Sequence, residues 1–186
     1  MIKITDILKT VNDGFKTHYF KDITTYKVAE LVSREDSEGN NITRPAIYKG
    51  NGDYEFIQDD SKGLIIYHRI LDFSNEEDTE GGFGRNTLTT EEYSVKTVFY
   101  GQQIAINEDC EDINYYLAKE FKKLVVRRLN ESGVHRTTIT VTGIDYDKNS
   151  IKDEEGLRIV PESVLFALEL NIKIRTLETC NTLNCN

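Results

Sequence analysis

A chain of 186 residues and 21.4 kDa suits one compact domain with a two-layer core, and its 38% hydrophobic and 30% charged content excludes disordered and collagen-like classes. A mean hydropathy of -0.49 and no apolar run of membrane-spanning length predict that no segment crosses a bilayer as a helix. With 23 Lys+Arg against 32 Asp+Glu the net charge is -9 and the pI near 4.9, which disfavours gripping nucleic acid through phosphate neutralisation but permits letting it slide past.

The start MIKITDILK is polar and amphipathic rather than a secretory leader, which predicts a protein made in the cytoplasm. Three cysteines, Cys110, Cys180 and Cys185, do not make a disulfide framework. From Thr5 to about Lys16, Ile4, Ile7, Leu8, Val11 and Phe15 recur at three- and four-residue steps, the pattern of a short helix with one apolar stripe. Residues 24–32 read as a strand, with the turn SREDSEGNN after it. Residues 42–57 read as two strands around the Gly50-Asn51-Gly52-Asp53 turn, and Pro45 predicts a sheet edge for the first of them.

Leu64 to Phe73 is nearly continuous in apolar residues, which predicts a strand covered on both sides for part of its length. Residues 74–92 are acidic and glycine-containing without periodicity, and are expected to be a mobile loop. Tyr93 to Tyr100 resumes a strand. Residues 112–131 carry a helical stripe of Ile113, Leu117, Phe121, Leu124 and Val125. Tyr115 and Val126 lie off it, on the flank of Lys119, Lys122 and Lys123, so more of this helix is apolar than one sheet contact requires.

After Gly133, Ile139 and Val141 fall in phase while Ile144 and Tyr146 are shifted by one across Gly143, the mark of a β-bulge. Residues 164–175 alternate apolar and mainly polar side chains, a strand with one buried and one largely wet face. The expectation is an α+β fold in which a mostly antiparallel sheet carries an N-terminal helix and one long helix on one face. Residues 1–176 form the single domain, with a hairpin extension at 33–63, the loop at 74–92 and a polar tail at 177–186.

Chemical constellations are sparse. Asp145, Asp147 and Asn149 open like a calcium loop, but Ser150 stands where the turn glycine belongs and Gly156 where the bidentate glutamate belongs, so a polar hairpin is the reading. Gly81-Gly82-Phe83-Gly84-Arg85 lacks the strand-to-helix context of a phosphate cradle. His18, His68 and His135 fall in three separate elements. The sequence assigns no catalytic, metal-binding or cofactor-binding residue.

The order of N-terminal helix, strands with a long loop, YSVKTVFYG, DINYYLAKEFKKLVVRRL, a bulged strand and VLFALELNIKIRT resembles the small neck proteins of tailed bacteriophages: tail-terminator, tail-completion and head-to-tail ring proteins. The resemblance covers roughly residues 1–31 and 93–176. It implies a virion structural protein and not an enzyme, a ring of six or twelve copies between portal and tail, with portal or adaptor and tail proteins as neighbours and genomic DNA passing unbound. A heterologous ring interface needs two unlike patches. The basic helix flank of Tyr115, Lys119, Lys122, Lys123 and Val126 is a candidate for one and the acidic segments 76–80 and 108–112 for the other, while Phe83 and Arg85 are candidates for a docking arm. The competing class is a small ligand-binding or enzymatic α+β domain.

Overall fold

The computed structural model describes residues 3–18, 23–57, 64–79, 86–102, 119, 123, 137–157 and 163–179. The fold is α+β with mostly antiparallel sheets. Helix α1 (Ile4–His18) precedes strands β1 (Ile23–Val28), β2 (Glu30–Glu35), β3 (Asn41–Gly50), β4 (Asp53–Phe56), β5 (Leu64–Thr79), β6 (Asn86–Gln102) and β7 (Thr137–Asp145). Helix α2 (Lys148–Glu155) and strand β8 (Ser163–Thr179) complete the described elements. A five-stranded sheet has the order β1-β5-β6-β8-β7, with only the β1–β5 pair parallel, and a second sheet has the order β2-β3-β4.

Side chains of the large sheet point alternately to two faces, and both are buried over its centre. On the first face Leu64, Ile66, Val95, Phe99, Phe166, Leu168, Leu170, Ile172 and Ile174 meet Ile4, Ile7, Leu8 and Val11 of α1. Phe99 and Phe166, register partners, stack with ring centroids 4.3 Å apart. On the second face Ile65, Tyr67, Val98, Tyr100, Leu165 and Ala167 meet Ile57, Ile151 and Leu157. The alternation read over 164–175 is thus observed, with Glu169 and Arg175 exposed opposite the buried series. Leu168→Ala should cost about 2–5 kcal/mol by opening a cavity on the first face. A loss below about 0.5 kcal/mol in chemical unfolding would place Leu168 outside the core.

The bulge falls where the phase shift put it, between Val141 and Gly143. Asn51 and Gly52 close the β3–β4 turn with φ of 54° and 85°, the pair of positive values that a two-residue hairpin favours. Pro45, expected at a sheet edge, instead lies in the central strand of the small sheet, opposite Leu31. The carbonyl of Pro45 accepts from Ile57 N–H at 3.0 Å. Its missing N–H therefore points to the same side, one residue past the end of β4, where the ladder requires no further donor.

Three other expectations are corrected. Residues 74–79 and 86–92 are not a loop: β5 and β6 stay paired from Leu64↔Gly101 out to Thr79↔Thr87. Residues 177–179, assigned to the tail, continue β8 against Asn86 to Leu88. The polar hairpin after β7 is helix α2, whose N-cap Asp147 accepts from the N–H of Asn149 and Ser150, and whose C-cap Gly156 is left-handed at φ 61°.

Candidate functional site

Two buried polar clusters and one exposed surface stand out. Behind α1, His68 is completely buried and faces Thr97, its cross-strand partner on β6. Its Nδ1 lies 2.9 Å from Thr97 Oγ1 and its Nε2 2.9 Å from Asn12 Oδ1. Asn12 Nδ2 donates to the Tyr26 carbonyl at 3.1 Å, which fixes the amide orientation. The Asn12 oxygen must then accept from His68 Nε2–H, leaving Nδ1 to accept from the Thr97 hydroxyl. The cluster ties α1 to β1, β5 and β6 through a neutral imidazole.

Burial lowers the His68 pKa from 6.5 to about 3. Below pH 6.5 the unfolded chain takes a proton that the folded chain refuses, so stability present at neutral pH is lost progressively toward pH 3. Between about pH 6 and pH 4 the folding equilibrium should weaken by close to tenfold per pH unit from this residue alone. Comparing chemical unfolding of the protein and His68→Gln at each pH isolates it from the carboxylates. Identical slopes would show that His68 is not the group titrating.

On the second face Glu155, wholly buried, sits under β5 and β6. Arg69 Nη1 lies 2.5 Å from its Oε1, Lys96 Nζ lies 3.7 Å from the same oxygen, and the Tyr67 hydroxyl donates to Oε2 at 3.1 Å. Burial, and then the Glu155 charge, push the Tyr67 phenol well above its ordinary pKa. Lys96 also binds Glu154, whose carboxyl that hydrogen bond holds below its ordinary range. Each polar group here is engaged by another member, and the cluster holds α2 on the sheet.

The exposed surface is the far end of the large sheet. Beyond the core, β5, β6 and β8 run on together as a three-stranded blade reaching roughly 20 Å from the Phe73–Tyr93 pair, from the rise per strand residue. Its two faces differ. On the second face Glu92 binds Lys173 Nζ at 2.9 Å and accepts from Asn171 Nδ2, and these contacts lower the Glu92 pKa. On the first face the core series continues as Ile70, then Phe73 against Tyr93 with ring centroids 4.8 Å apart.

Phe73 is nevertheless 50% exposed, Leu71 46% and Ile70 36%, half of the six large hydrophobic residues exposed among the described residues. A register shift between Ile70 and Asp72 makes Leu71 the extra residue of a bulge. Three of the four consecutive positions 70–73 are thus apolar and exposed, a concentration that marks a contact surface.

Of the residues singled out from sequence, Lys119 and Lys123 are helical and exposed. Phe83, Arg85, Tyr115, Lys122 and Val126 lie outside the described residues, as do the acidic segment 108–112 and Cys110, Cys180 and Cys185. The acidic segment at 76–80 lies on the blade as far as residue 79. Asp147, from the segment read as a polar hairpin and not as a calcium loop, spends its carboxylate on the α2 cap, and Asp145 Oδ1 accepts from Asp147 N–H at 2.8 Å. Among the described residues no group of three or more His, Cys, Asp or Glu side chains is placed to hold a metal ion. A small hollow on the second sheet is bounded by Arg34, Ile42, Arg44 and Phe56, with the Arg34 guanidinium 5.5 Å from the Phe56 ring centre.

Ile70, Leu71 and Phe73 were not selected from sequence, because an apolar run reports a buried strand and does not say where along the strand the cover ends. Among the described residues no helix is long and apolar enough to cross a membrane. No protein-family model matches the sequence, and no curated protein matches it either.

Proposed function

We propose that the chain is a virion structural protein that forms a ring in the head-to-tail connector of a tailed phage, joining portal to tail around the DNA channel, after synthesis in the host cytoplasm. The observation that carries the reading is the extension of β5, β6 and β8 beyond the core, with Ile70, Leu71 and Phe73 exposed where it begins. Exposed apolar residues grouped in this way mark a contact with another molecule, and a subunit of a closed assembly completes its core against a neighbour. Among the described elements, α1, bulged β7 and alternating β8 follow the order on which the neck-protein resemblance rests. A net charge of -9 suits a channel wall that repels passing DNA.

The test is the native mass of the purified chain, alone and with portal or tail proteins. A discrete multiple of 21.4 kDa with a central channel in electron micrographs, and no retention of DNA at physiological salt, is the expected result. A protomer that stays single at every concentration and ignores both neighbours would overturn the proposal.

A further inference from the structure

We infer that the hollow on the second sheet is a binding site for one carboxylate side chain of a partner polypeptide, held between Arg34 and Arg44. The site lies on β2, β3 and β4, apart from the blade, and does not depend on ring formation.

The register brings the two arginines together. Arg34 stands opposite Ile42 and Arg44 opposite Val32, so all four share one face and the arginines are diagonal neighbours across β2 and β3. Phe56, opposite Ala46, belongs to the same face and bounds the hollow from β4. Two cations so placed repel, and an acid between them would relieve the repulsion. Among the described residues no carboxylate lies within ion-pair distance of either guanidinium. Asp36, at the rim, turns its Oδ1 to the N–H groups of Glu38 and Asn40, at 2.9 and 2.8 Å.

Arg44 Nε is enclosed by the protein and has no hydrogen-bond acceptor. Leaving such a donor unpaired is costly. The Nε–H and the neighbouring Nη–H form the edge of a guanidinium that takes both oxygens of a carboxylate side by side. Arg34 is exposed, and its guanidinium rests 5.5 Å from the Phe56 ring centre, so it is the wall that can swing aside to admit the acid and return over it.

Size and charge select the ligand. The hollow is about 140 Å³, below the roughly 300 Å³ at which sites for free small molecules begin, and it suits the end of a side chain. Ile42 and Phe56 offer apolar walls to the methylenes of a glutamate. Glu35 and Asp36 at the rim oppose phosphate, which carries more negative charge at neutral pH than a carboxylate. The net charge of -9 disfavours nucleic acid for the same reason.

The test follows the melting temperature of the full chain during titration with acetyl-glutamate amide, against acetyl-glutamine amide and inorganic phosphate at matched ionic strength. The glutamate compound should raise it by about 3 °C at ten times its dissociation constant, and the glutamine compound should not. Arg44→Lys keeps the charge but loses the paired donor edge, and should abolish the shift. Arg34→Gln, at an exposed position, should leave the melting of the free chain unchanged and weaken binding by about fivefold or more. If Arg44→Lys does not fold, the Arg34→Gln titration decides. No shift with the glutamate compound, equal shifts from the two amides, a larger shift from phosphate, or an undiminished shift in either folded variant would overturn the assignment.

Discussion

Gly156→Ala should cost about 3 kcal/mol or more, from two independent penalties at one atom. Gly156 ends α2 at φ 61°, a left-handed conformation in which a side chain is strained. A Cβ there would also lie 1.7 Å from the carbonyl oxygen of Thr43 in β3, a backbone atom that cannot swing aside. Relief requires α2 to lift from the small sheet, and α2 carries Ile151 and Glu155, both fully buried. Gly39 separates the two penalties: its φ is 82°, but nothing lies within 4 Å of the added carbon. Gly39→Ala should therefore cost only the conformational part, roughly 1–2 kcal/mol. Chemical unfolding of the two variants measures the difference. Equal losses would mean that α2 can move off Thr43 freely and does not clamp the sheets together.

The elements legible in the sequence are those whose burial is one-sided. Val164 to Ile174 alternates because one face meets α1 and the other, past Ala167, meets water. The Gly143 bulge was legible because a one-residue slip moves every later side chain to the other face. The blade was not legible as strand, because periodicity reports contrast between faces and residues 74–77 are exposed throughout. Its pairing is set by the backbone ladder with β6, and the threonines at 87, 89 and 90 were the β-branched signal available. Helix α2 has one buried apolar residue, Ile151, too few for a stripe, yet Asp147 and Gly156 stand at cap spacing around it. The same two residues had been weighed as a failed metal loop. As for the candidate interface, the opposite charges of 76–80 and of the lysine flank could be read from sequence, whereas exposure of Ile70, Leu71 and Phe73 depends on where α1 and the rest of the core stop.

The second large effect belongs to Glu155, whose burial no sequence pattern announces within a run of charged residues. Arg69 and Lys96 are cross-strand partners, and two cations directly opposite each other repel. Glu155 lies between them, its Oε1 shared by both and its Oε2 taken by the Tyr67 hydroxyl. It also occupies the last turn of α2, the end at which the helix dipole disfavours a carboxylate. Its position therefore depends on the two cations, as theirs depends on it. Glu155→Gln should cost about 3–5 kcal/mol, since it takes the buried carboxylate from Arg69 and leaves Lys96 only the exposed Glu154. Glu154→Gln should cost at most about 1 kcal/mol, because that carboxylate is 56% exposed and water replaces it beside Lys96. Replacing the set as Glu155→Leu, Arg69→Met and Lys96→Met should recover most of the loss, because an apolar cluster of similar volume carries no desolvation penalty. Chemical unfolding of the three variants decides the matter. A Glu155→Gln loss below about 1 kcal/mol would show that Arg69 and Lys96 do not need the carboxylate's charge. A triple variant no more stable than Glu155→Gln would show that geometry, and not charge balance, is what the cluster contributes.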